Sequence, residues 1–461
     1  MKMNTEPDIP IMAYATAIPV PVPVPVPSVP DDGNNIHGNN SNTNPDSNNH
    51  NHNNRNSVSS NTQSTNTRPS LASSNAAFQQ DSFRIPALDQ SNNNNSGVNS
   101  SSYSSMAPPR LDLNESQISA LKQQGYTRGL AKAIAASNAS FPLRFWIVDN
   151  SGSMSSTDGQ RMVETKRKND VKMVQCTRWK EIQETVTYHA QLAALLEAPT
   201  VFRLLNDPGR YIGPREFGVA NKGNPSTISH DLQVALSTMD NATPSGVTPL
   251  TGHILDVKQQ IEILLPQLRS EGRRVALVLA TDGLPTGNSG ISSPMEQQRF
   301  VDALRGLEGL PVWIVVRLCT NNDDVVEFYN NLDSQLELSL EVLDDFSSEA
   351  EEVYELNPWL NYTLPLHRIR EMGFQNRIFD LLDERPLTIG EIREFVLLVF
   401  GRESADILPD PAVDMHEFLK VLDKLLTKEE MQWNPIKQKM MPILDLKKLN
   451  KSYGNSNCTI M

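Results

Sequence analysis

The chain has 461 residues, room for two or three domains, and a formal net charge of −13. That acidic balance argues against general nucleic-acid binding. Three cysteines, Cys176, Cys319 and Cys458, are too few for a disulfide framework in a chain this long and fit a reducing compartment.

Residues 1–110 are expected to form a disordered arm. Pro19 to Pro27 alternates strictly with Val, a stiff extended spacer. The Asn- and Ser-rich tract that follows holds almost no large apolar residues, so burial cannot offset the entropy of ordering it. No signal peptide is expected, because prolines break residues 9–29. No run approaches the length of a transmembrane helix, and Lys2 in place of Gly argues against N-myristoylation.

A helical lead-in is expected over residues 111–140. From 141 to 346 the pattern becomes α/β. Residues 143–148, 275–280 and 312–318 are nearly all apolar, as in strands covered on both faces. Weaker strand signals fall at 201–204, 216–219 and 336–342. Ile182, Val186, Leu192 and Leu195 mark one face of an amphipathic helix, and Ile254, Val257, Ile261 and Leu264 mark another. Such alternation predicts a doubly wound, mostly parallel sheet with right-handed crossovers. Ligands in these sheets sit beyond the carboxyl ends of the strands, where Asp149 and Asp282 each close a strand.

Three short segments then form a possible metal site: Asp149-Asn150-Ser151-Gly152-Ser153, Gly246-Val247-Thr248-Pro249-Leu250 and Ala280-Thr281-Asp282-Gly283. Their side chains offer only hard oxygen donors, which suit Mg²⁺ or Mn²⁺ and, less tightly, Ca²⁺. In order and spacing they resemble the von Willebrand factor type A domain with its metal-ion-dependent adhesion site, a Rossmann-like fold. The resemblance covers residues 141–346. It implies that Ser151, Ser153 and Thr248 donate side-chain oxygens. Asp149 and Asp282 would hold the cation directly or through water, and a partner protein's carboxylate would complete the coordination. Neutral hydroxyls leave a divalent cation under-neutralised and attractive to such an acid. Simpler roles account for each residue singly: Thr248 before Pro249 as a helix cap, the aspartates satisfied by turn amides, the serines as turn residues.

One departure from that family is an insertion after the first segment. Residues 158–175 read as a β-hairpin with Lys166, Arg167 and Lys168 at its tip. It is expected beside the metal face, as a solvated tip, a partner contact or an obstacle to the cation.

A helical extension is expected over 347–435 and a basic flexible tail over 436–461. Asp406, Asp410, Asp414 and Glu417 match positions of an EF-hand loop, but Leu408 and Pro411 stand where an oxygen donor and the turn glycine belong; a helical hairpin is the expectation. The chain ends Cys458-Thr459-Ile460-Met461, a match to the C-a-a-X prenylation signal, with Met favouring farnesyl on Cys458. Lys437, Lys439, Lys447, Lys448 and Lys451 upstream supply the basic patch that usually accompanies one lipid chain at a membrane.

Nothing in the sequence pairs a nucleophile with a base, cradles a phosphate or gathers Cys and His for zinc. His189 and His253 stand alone on helical patterns. The expectation is a non-enzymatic adaptor at the cytosolic face of a membrane, capturing an acidic side chain of a partner protein through a bound cation. The alternative is a ubiquitin-binding component of a ubiquitin pathway. It rests on a faint resemblance of residues 121–134 and of Met372-Gly373-Phe374 to ubiquitin-associated domains, which compete with plain packing helices.

Overall fold

Runs of Val, Ile, Leu and Phe too apolar for a solvent-facing strand organise the protein. The computed structural model describes residues 112–164, 171–287, 289–332 and 334–454. Its strands are β1 Leu143–Val148, β2 Gly159–Glu164, β3 Val171–Cys176, β4 Thr200–Leu204, β5 Glu216–Val219, β6 Val275–Thr281, β7 Val312–Leu318, β8 Leu340–Leu343, β9 Gln432–Asn434 and β10 Lys439–Met441. Six of them form one sheet in the order β5-β4-β1-β6-β7-β8. All neighbours in it are parallel except β4 and β5. The protein is thus α/β with a mostly parallel central sheet, as the apolar runs predicted.

Every residue of β1, β6 and β7 is buried, because helices cover both faces. Phe145, Ile147, Leu277 and Ile314 pack with Ile254, Val257 and Ile261 of the helix Leu250–Glu271. On the opposite face, Trp146, Val148, Val278 and Val315 pack with Ile182 and Val186 of the helix Arg178–Leu196 and with Leu232 and Ala235 of the helix Ile228–Asn241. The last strand starts later than its apolar signal, at Leu340 rather than residue 336.

β2 and β3, read as the arms of a hairpin, pair antiparallel, from Gly159 opposite Cys176 to Glu164 opposite Val171. Its Met162 and Val171 are buried in a third core. That core joins the two flanks of the sheet region: Leu121, Leu130 and Ile134 before it pack with Leu366, Phe379 and Phe395 after it. The lead-in and the extension are therefore one body of packing. Residues 436–454, expected as part of a flexible tail, begin instead with β10 and the helix Leu446–Tyr453, whose Leu449 is wholly buried. Backbone bonds Asp445 N to Trp359 O and Asn361 N to Ile443 O, 2.8 and 2.9 Å, stitch this stretch down. A basic composition had masked a helix whose Leu446, Leu449 and Tyr453 pack on the third core. The Pro/Val and Asn-rich arm, the Lys166–Arg167–Lys168 tip and Cys458 lie outside the described residues.

Buried ion pairs weld the helical body to the sheet. Arg370, 1% exposed, reaches Glu341 on β8 at 2.8 Å, Asp383 at 2.7 Å and Glu349. Arg317 on β7 pairs with Glu181 and, at 3.4 Å, with Glu371. Burial alone would raise the pKa of Glu371, but Arg368, His367 and His189 around it outweigh that and hold it well below the usual carboxylate range. Between these contacts the backbone comes close to the sheet at Gly373, in the left-handed region at φ +84°, where a Cβ would stand 3.1 Å from Ala276 Cβ.

Removing one member of such a cluster strands the others. Arg370→Met should therefore lower stability by about 3–5 kcal/mol, and Arg370→Lys should recover little, because one ammonium cannot fork to three carboxylates. Urea unfolding of the three proteins checks both expectations.

Candidate metal centre

Parallel register decides where the aspartates fall. Val148 of β1 lies opposite Ala280 of β6, and Asp149 N donates to Ala280 O at 2.8 Å. Both strands end on one rim, so Asp149 and the Thr281-Asp282 pair are neighbours. Asp149 is 0% exposed and Asp282 3%.

The three segments hydrogen-bond to one another. Gly152 N donates to Gly246 O at 3.2 Å, and Ser245 N donates to Asn150 O at 2.7 Å. Thr248 N donates to Thr286 Oγ1 at 3.0 Å, while Thr286 N returns to Thr248 O at 2.9 Å. Gly246 makes the close approach possible. Its φ of +85° suits glycine, and a Cβ there would meet Asn206 Oδ1 at 2.4 Å. Asn206 in turn donates from Nδ2 to Val247 O at 2.8 Å.

Among the side chains, Ser151 Oγ and Ser153 Oγ stand 3.0 Å apart, and Ser153 Oγ donates to Asp282 Oδ1 at 2.8 Å. Asp149 accepts from Ser151 N at 2.8 Å and from the Thr281 hydroxyl at 2.6 Å. Thr248 reaches the same corner: a Cβ on Gly283 would lie 3.8 Å from its Oγ1. The helix that follows starts at Leu250 with Pro249 at its N-cap and no side-chain cap bond, so capping does not occupy the Thr248 hydroxyl. Ser151 and Thr248 are buried, whereas Ser153 is exposed; the cluster opens to solvent at Ser153.

Sequence reasoning missed two residues here. Thr281 was part of its segment but had no role; its hydroxyl holds Asp149. Arg178, the first residue of its helix, donates from Nη1 to Asp282 Oδ2 at 2.9 Å and forks onto Asp158, with Nε to Oδ1 at 2.7 Å. No local signal marks it, since the intervening hairpin sets its distance from the first segment. It is the cation the chain itself offers to Asp282. Among the described residues no three His, Cys, Asp or Glu side chains gather as a metal cluster; this corner has two carboxylates, and its remaining donors are hydroxyls. His189 and His253, read as lone histidines, are buried, and burial lowers the pKa of each to about 4.

No protein-family model matches the chain, and no curated protein matches it.

Burial, and then the charge of Asp282, push the pKa of Asp149 up to about 6. Raised above its unfolded value near 3.8, the carboxyl binds more protons in the native state between those limits. Its contribution to stability is therefore lost as pH rises through about 6. In EDTA, Asp149→Asn should stabilise the protein at pH 7 by up to about 3 kcal/mol, and the gain should vanish near pH 4. Thermal melts of both proteins across that range test the sign.

Proposed function

We propose that the Asp149–Asp282 corner is an adhesion site of the von Willebrand factor type A kind, and that the protein is a non-enzymatic adaptor. The reading is supported most by one observation. Ser151, Ser153 and Asp282 oxygens lie in a chain of 3.0 and 2.8 Å steps. Six oxygens around Mg²⁺ at 2.0–2.1 Å place neighbouring ligands about 3 Å apart. The set is all hard oxygen, with Asp149 and Thr248 at the same corner, which fits Mg²⁺ or Mn²⁺. A cation held there would offer an open coordination position to an acidic side chain of a partner protein.

The chain's own groups do the rest. Asp149, oriented by Thr281 and Ser151 N, and Asp282, steered by Arg178, supply the negative charge that a buried cation needs. The hydroxyls contribute donors without further neutralising it. Arg178 competes for Asp282 and keeps that carboxylate compensated. Ser153, being exposed, marks the side from which a partner approaches.

Membrane tethering is part of the same proposal. It rests on Cys458-Thr459-Ile460-Met461 and the upstream lysines. Attachment would run through a farnesyl group on Cys458; among the described residues no helix is long and apolar enough to cross a membrane. The ubiquitin-binding alternative needs an accessible Met372-Gly373-Phe374 turn. Met372 is 3% and Phe374 6% exposed, so nothing favours it.

Two measurements follow. Asp149→Ala combined with Ser151→Ala should reduce Mn²⁺ binding at least tenfold by calorimetry and abolish EDTA-sensitive partner capture, while circular dichroism stays native. Unchanged Mn²⁺ binding would refute the site. Cys458→Ser should shift the protein from membrane to soluble fractions of cell lysates, and a wild type already wholly soluble removes the lipid claim.

A further inference from the structure

The inserted hairpin does more than decorate the rim. Between it, the helix Arg178–Leu196 and the helix Leu364–Glu371 lies a cavity of about 190 Å³ that none of Asp149, Ser151, Ser153, Thr248 or Asp282 lines. At about 10–15 Å³ for each water so accommodated, it has room for on the order of a dozen waters, or as many ligand heavy atoms. Its walls are Met162 and Met173 from the hairpin, facing Phe346, Leu364 and Pro365. Methionines adapt to irregular ligands and suit binding surfaces. The hairpin is pinned over this space by three bonds: Gln160 N to Glu181 Oε2 at 3.0 Å, Ser347 Oγ to Gln160 Oε1 at 3.1 Å, and Arg161 Nη1 to Glu184 Oε1 at 2.7 Å.

Charge decides what the cavity accepts. Each guanidinium in its lining already has a carboxylate. Arg161 pairs with Glu184 at 2.7 Å, Arg317 with Glu181, and Arg368 with Glu371 at 2.8 Å. The remaining acid, Asp345, accepts from Ser347 N and Ser348 N at the start of its helix. Four carboxylates thus stand with three guanidiniums: an anion would enter without a counter-charge and lose its hydration, a large cost, and a cation would meet only Asp345, whose oxygens already accept three hydrogen bonds. Two buried nitrogens of the lining have no hydrogen-bond partner among the described residues, Nε2 of His367, which lies 3.3 Å from Glu371 Oε1, and Nε of Arg368, which has no acid beside it. The rest of that guanidinium is fixed, by Thr185 Oγ1 at 2.7 Å and by the Tyr188 ring 5.0 Å beneath it. A buried donor of this kind favours a ligand that brings an acceptor.

We infer that this cavity is a binding site for an uncharged, mostly apolar small molecule carrying one hydrogen-bond-accepting oxygen. The apolar body lies against the methionine wall and the oxygen faces Arg368. None of the five residues of the metal corner contributes to this site.

The uncharged naphthalene ketone Prodan, whose emission moves to the blue in apolar surroundings, is a suitable probe on the full-length protein. Saturable blue-shifted emission is expected, with and without EDTA. Met173→Trp, which fills the space, should weaken binding at least tenfold at unchanged melting temperature, and Met173→Ala should retain it. Leu364→Trp, filling from the opposite wall, decides the matter should Met173→Trp fail to fold. Arg368→Lys, which keeps the charge but deletes Nε, should shift bound emission to the blue by removing the bond to the ketone. The anionic dye 8-anilinonaphthalene-1-sulfonate should bind at least tenfold less tightly than Prodan. The inference is overturned if the wild type shows no saturable signal, if a folded cavity-filled variant binds within twofold of wild type, if Arg368→Lys leaves the bound emission unmoved, or if the sulfonate binds more tightly.

Discussion

Two carboxylates end adjacent parallel strands and neither sees water. Register forces this: with Val148 opposite Ala280, residues 149 and 282 cannot separate without shearing the sheet. Two acids in so little solvent repel each other and lack hydration, so everything around them is arranged in response. Thr281, Ser151 N and Ser153 donate hydrogen bonds, and Arg178 donates a full positive charge. The rim is therefore acidic, and the chain has set a cation of its own, Arg178, beside it.

Placing Arg178 there ties the rim to the hairpin, because the same guanidinium holds Asp158 just before β2. The hairpin in turn covers the methionine-walled cavity, whose polar edge includes Glu181, Arg317 and Glu371. Those same residues weld the helical body to the sheet. One set of buried ion pairs thus serves rigidity, the setting of the helical flanks and the charge balance of the cavity, whose three guanidiniums each stand beside a carboxylate.

Much of the fold was legible because burial on both faces writes a continuous apolar run, as in β1, β6 and β7. Their ends could be read as well, since Asp149 and Asp282 break the run abruptly. The weaker strand β8 was placed four residues early: Leu336 and Leu338 pack as loop residues, and a short apolar stretch does not say where pairing begins. The helix Leu446–Tyr453 was read as flexible because its lysines dominate its composition, while Leu446, Leu449 and Tyr453 seat it on the core. Short helices are stabilised by tertiary contact, which composition does not record.

The sequence by itself determined the kind of sheet, the rim on which its acids lie and the oxygen-only character of that corner, because alternation, apolar runs and strand ends are local properties. Only the tertiary structure decided that Arg178 meets Asp282, that the N- and C-terminal flanks share one core, and that a cavity lies beneath the hairpin. Each of these joins residues whose separation in the chain carries no periodic signal. Side-chain reach and charge compensation settle them, and those exist only once the backbone has closed.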